Sequence, residues 1–121
     1  MDTFVRALIG IIALIHLLFV YLEMFLWTKP AGLKIFRRTS QQAMDSASLA
    51  ANQGLYNGFL ATGLAWSLIH SDPKFAMELQ VFFLGCVMVA GIFGAITVTK
   101  KIFLIQALPA MTALVLLIAG H

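Results

Sequence analysis

The sequence predicts an all-α integral membrane protein: a bundle of four transmembrane helices, both termini outside, with a basic cytoplasmic loop between helices one and two. Three observations carry this prediction. The 121 residues are 61% hydrophobic and 11% charged, with a mean hydropathy of +0.95, more apolar surface than a soluble domain of this size can bury. The apolar residues gather into four runs, near 5–27, 51–70, 77–99 and 102–120, each close to the roughly 20 residues that cross a hydrocarbon core. The cations are also partitioned. Lys29, Lys34, Arg37 and Arg38 lie between helices one and two, and Lys100 and Lys101 between three and four, with only Arg6 and Lys74 on the opposite side. Positive-inside bias then places loops one and three in the cytoplasm. The chain reads as one domain, 1–121.

Helix one, VRALIGIIALIHLLFVYLEMFLW, is longer than the roughly 7–15 residues of a signal-peptide core and has no small-residue cleavage site, so it is expected to stay. Loop one opens with a Lys-Pro-Ala-Gly break. Leu33, Ile35 and Phe36 then alternate with Lys34, Arg37 and Arg38, which suits a segment lying on anionic headgroups or a cytoplasmic anion site. From Ser40 to Ala51 helix formers continue, so helix two begins as a cytoplasmic extension. In the outer turn Ser71-Asp72-Pro73, Asp72 can cap helix three and Pro73 suits its first position. Gly54 with Gly58, Ala90 with Gly94 and Gly91 with Ala95 are spaced for close helix packing. Cys86 is the only cysteine, which leaves no disulfide within one chain.

The chemistry-bearing residues sit inside these apolar runs. A charged side chain at the centre of a spanning helix costs roughly 2.5–3.5 kcal/mol, so Glu23 is a functional candidate. His16 precedes it by about two helical turns and shares nearly the same face. Helix two adds Asn52, Gln53, Tyr56 and Asn57, and helix four adds Gln106. At 1.5 Å per residue, Glu23, Asn57, Thr97 and Gln106 fall in the cytoplasmic half of the bundle, with His16 near mid-membrane. Such amides are disfavoured against lipid and are expected to face the interior. An acid, an imidazole and several amides can orient a polar headgroup and move a proton. The structural alternative is interhelical glue, each contact worth about 0.6 kcal/mol, with Glu23 paired to Lys29 or Arg37. Tyr21, Trp27 and Tyr56 read as interface aromatics. His70 and His121 lie where neither is expected to do chemistry. One buried His and one Glu fall short of the three protein ligands of a catalytic zinc site. No cysteine pair, nucleophile elbow or phosphate loop appears, so neither metal nor cofactor is expected.

The runs HLLFVYLEMFLW, ANQGLYNGFLATGL, AGIFGAIT and QALPA resemble a family of small bacterial four-helix membrane proteins described as a domain of unknown function, some of whose members carry the label epimerase. The resemblance covers nearly the whole chain, with NQGLYNG its most specific part. It implies a multi-pass protein of the bacterial inner membrane in which His16, Glu23, Asn52, Gln53, Tyr56, Asn57, Gly58, Gln106 and Pro109 match the family's pattern. In outline the chain is also similar to the microsomal glutathione transferase and eicosanoid-synthase superfamily, which implies trimers with external termini. It departs from that pattern at Asn57, where a spaced Asn-to-Glu motif is expected, and lacks the neighbouring arginines.

The expected function is binding or conversion of a lipid or hydrophobic metabolite, with Glu23 as acid or base, His16 as its partner and Asn52, Gln53, Tyr56, Asn57 and Gln106 as substrate contacts. A proton-coupled transporter using Glu23 and a non-catalytic assembly protein are the alternatives. The expected partners are membrane lipids and further copies of the chain. The pI near 9.4 follows from topology and does not predict a nucleic-acid partner.

Overall fold

A computed structural model describes residues 2–120; His121 lies outside the described residues. Regular structure among them is entirely helical: α1 (Thr3–Met24), α2 (Pro30–Phe36), α3 (Ser40–Ile69), α4 (Pro73–Thr97), a π-helical turn (Phe103–Ala107) and α5 (Leu108–Ala119). Two of these, Thr3–Met24 and Pro73–Thr97, are long and apolar enough to cross a membrane by length and composition. The stretch Phe103–Ala119 is apolar but shorter. α3 has the length, 30 residues, but its first half carries Ser, Gln, Asp and Asn.

Local chemistry sets the helix ends. Asp2 accepts the Phe4 N–H through Oδ1 at 2.9 Å and starts α1. Thr39 and Gln42 form a reciprocal capping box, Gln42 N to Thr39 Oγ1 at 3.1 Å and Thr39 N to Gln42 Oε1 at 3.0 Å, which explains why α3 begins at Ser40. Asp72 Oδ1 accepts the Lys74 N–H at 2.9 Å with Pro73 in the first turn, so α4 starts four residues before the apolar run at 77. The run near 102–120 is broken by Pro109, which has no N–H to give the carbonyl four residues back. The backbone widens there into the π turn, and Leu108 N–H reaches the Phe103 carbonyl.

The described residues form two compact units. One is Leu14–Ala61. Its buried side chains are small or polar apart from Leu22: Ala43, Ala50, Ala61, His16 and Asn57. The other joins the N-terminal segment through Ala13 to the segment from Thr62 onward. Its core is mainly aliphatic, with Val5, Ile9, Ile12, Leu64, Leu84, Val87 and Leu117 buried. At Gly91 backbone meets backbone in that unit. A Cβ built on it would lie 2.5 Å from Ala107 N, so only glycine lets α4 sit against the π turn. Arg6, on the N-terminal segment of the same unit, donates to the Leu68 carbonyl at 2.7 Å, near the C-terminal end of α3, where a cation is favoured.

Candidate functional site

Within Leu14–Ala61, α1 and α3 come together at Gly54. A Cβ built there would lie 3.2 Å from Glu23 Cβ and 2.7 Å from Met24 Cγ, so the last turn of α1 rests on bare backbone. At Gly58 the same construction meets Val20 Cγ2 at an ordinary 3.6 Å. Of this glycine pair, Gly54 makes the tight contact. One turn beyond it, Asn57 donates Nδ2–H to Glu23 Oε1 at 2.5 Å. Asn57 is 5% exposed and Glu23 is partly buried. A carboxylate offers about four lone-pair positions and a primary amide two donors and an oxygen, so one hydrogen bond between them leaves capacity for a ligand's hydroxyl or amine.

His16 is buried in the same unit, at 1% exposure. Its ring stands edge-on to Phe19, with centroids 5.5 Å apart. Seven residues of helical rise separate it from Glu23 by about 10 Å, beyond the reach of a direct hydrogen bond. Proton exchange between the two needs an intervening group.

The remaining predicted residues are arranged differently. Asn52, Gln53 and Tyr56 are exposed on α3 instead of facing inward. The physical reason is that a straight helix presents a single inward stripe, occupied here by Ala50, Gly54, Asn57 and Ala61. Gln53 is four residues from Asn57, and about 40° of rotation carries it past the edge of that stripe. Gln106 is partly buried within the π turn and belongs to the other compact unit. Trp27 packs within loop one: Nε1 donates to Ser46 Oγ at 3.1 Å and the indole lies 4.7 Å from the Phe36 ring. An open hollow lined by Ala95, Ile96, Lys100, Phe103 and Leu104 contains none of the predicted site residues.

Sequence reasoning missed Gln80. It is fully buried in α4 and donates Nε2–H to the Ser67 carbonyl at 3.4 Å, while its Oε1 meets no donor among the described residues. Ser67 is buried beside it and turns its own hydroxyl to the Leu64 carbonyl at 2.6 Å. A lone amide in the run ELQVFFLGC carries no spacing signal, so nothing in the sequence singled it out.

The family described as "Protein of unknown function (DUF1304)" matches residues 10–118. The chain belongs to this family. It is also similar to "Uncharacterized protein YpaA" of Lactococcus lactis subsp. lactis (strain IL1403), 28% identical over 107 residues that cover 87% of this chain and 88% of the relative. No solved structure matches it. The family match spans α3, α4 and all but the first residues of α1, including Glu23, Gly54 and Asn57.

Proposed function

We propose that this protein is a four-span, homo-oligomeric protein of the bacterial cytoplasmic membrane that binds or converts a lipid or hydrophobic metabolite. In this reading Glu23 and Asn57 hold the ligand's polar group, Glu23 serves as acid or base, and His16 exchanges protons with it through the bound group. The observation that carries the proposal is the Asn57–Glu23 hydrogen bond, formed where Gly54 brings two helices together. A carboxyl group in an apolar helix, already matched to an amide, is a recognition element that lipid itself does not require. Outward apolar side chains such as Leu14, Phe25, Phe82 and Phe93 support lipid contact around the chain. The partition of Lys29, Lys34, Arg37, Arg38, Lys100 and Lys101 supports cytoplasmic loops and external termini.

The outward Asn52 and Gln53 favour an additional role in assembly, because amides turned away from the chain gain most by pairing with a second copy. The test of function is native mass spectrometry of protein released from nanodiscs, comparing wild type with Glu23→Gln. A defined bound mass retained by wild type and lost in the variant is expected. Equal retention in both would remove Glu23 from the site. If neither retains a mass while Asn52→Ala changes the oligomer, the assembly role alone stands.

A further inference from the structure

Loop one carries a second built constellation, separate from the Glu23–Asn57 pair. Arg38 places its guanidinium carbon 5.2 Å from the centre of the Trp27 ring. The indole is fixed in turn, hydrogen-bonded to Ser46 Oγ and packed on Phe36. Ser46 itself is anchored to the Gln42 carbonyl at 2.8 Å. α2 is locked beneath this group by Gly32, where a Cβ would fall 1.9 Å from the Leu26 carbonyl oxygen. The short helix then ends at Arg37, the one described non-glycine residue with positive φ, at 52°. Glycine is the ordinary choice at such a helix end. An arginine held there turns the chain and is followed directly in sequence by Arg38. Lys34 is exposed in the last turn of α2, and Arg37 and Arg38 are exposed after it. The two carboxylates of this unit are engaged elsewhere, Glu23 by Asn57 and Asp45 by Gln41.

We propose that Lys34, Arg37 and Arg38, with Arg38 steadied on Trp27, form a binding site for the headgroup phosphate of an anionic membrane lipid. Guanidinium groups match phosphate oxygens in a planar, bidentate fork. The apolar neighbours point to lipid as the source of that phosphate: Ile35 on α2 is 56% exposed and Phe25 at the end of α1 is 63% exposed. Exposed apolar side chains interleaved with cations describe a segment lying at the headgroup level. An indole stacked under an arginine suits the same depth.

The test uses purified protein in nanodiscs of phosphatidylcholine mixed with phosphatidylglycerol, with retained lipids identified by native mass spectrometry. Wild type is expected to retain phosphatidylglycerol selectively. The variant Lys34→Gln/Arg37→Gln/Arg38→Gln is expected to lose about a hundredfold of that preference, at roughly fivefold per cation. Arg38→Lys keeps the charge and guards against a folding defect; it is expected to lose less than the triple variant but to bind measurably more weakly than wild type. Lys100→Gln/Lys101→Gln removes cations from a different loop and is expected to leave the preference unchanged. Equal losses in the two loop variants would overturn the proposal, because the effect would then be general surface charge. Trp27 emission in a Trp66→Phe background separates the two phosphate sources: a response to phosphatidylglycerol vesicles is expected, and an equal response to inorganic phosphate alone would overturn the lipid assignment.

Discussion

Two buried amides, one in each compact unit, meet opposite surroundings. Asn57 gives its N–H to a carboxylate at 2.5 Å. Gln80 gives its N–H to the Ser67 carbonyl at 3.4 Å and leaves Oε1 without a donor among the described residues. The glycines differ in parallel. Gly54 admits Glu23 to the face of α3, whereas Gly91 admits only the backbone and methyl group of Ala107. Close helix approach in one unit therefore delivers a carboxyl group to an amide, and in the other it delivers packing alone. Close packing locates helices. It marks a site only where it brings complementary polar groups together.

The largest effect is expected at Gly91. Gly91→Ala forces a Cβ against the backbone of Ala107, 2.5 Å from its nitrogen, and should lower stability by about 3 kcal/mol in thermal unfolding in nanodiscs. Ligand retention should survive where the fold survives. Asn57→Leu comes next, with a loss of about 1.5 kcal/mol, because the Glu23 carboxyl loses its donor. Here retention of the bound mass should fall as well. Gly54→Ala should lower stability by only about 1 kcal/mol, since the clash with Met24 Cγ and Glu23 Cβ is partly offset by the roughly 1 kcal/mol by which alanine is favoured over glycine inside a helix. It should still abolish ligand retention by prising Glu23 from Asn57, separating the two measurements in the reverse sense to Gly91→Ala. Gln80→Leu is the mildest change and the one with opposite sign. Removing a buried oxygen without a donor should raise stability by up to about 1 kcal/mol and leave ligand retention untouched. Matching signs for Asn57→Leu and Gln80→Leu would erase the contrast between the two amides.

The fold was legible where backbone chemistry is local. Asp72-Pro73 states the start of α4, and the helix-forming run from Ser40 states the early start of α3, which the Thr39–Gln42 box completes. The π turn was also within reach, because Pro109 stands inside an otherwise continuous apolar helix. The site was legible as a set of residue types and not as a set of contacts. Glu23 and Asn57 each stood out as polar groups in apolar runs, but their pairing depends on the rotation of α1 against α3, which Gly54 fixes in three dimensions. Asn52, Gln53 and Tyr56 share the composition of Asn57 without sharing its side of the helix. The Arg38–Trp27 stack was hidden for a similar reason. It needs the turn at Arg37, and a positive φ in an arginine has no sequence signature.

In the proposed function the Glu23–Asn57 pair is a ligand contact as well as a helix contact. The chain has two asparagines, Asn52 and Asn57, one exposed and one buried, so asparagine labelled at the side-chain nitrogen supplies the site signal and an internal control. The direct measurement is the NMR side-chain spectrum of delipidated protein in nanodiscs, before and after addition of a total extract of the host membrane. The Asn57 signals are expected to shift more than those of Asn52, and Glu23→Gln is expected to remove the difference while keeping the fold. Asn57 signals that stay in place, or that shift equally in Glu23→Gln, would contradict it.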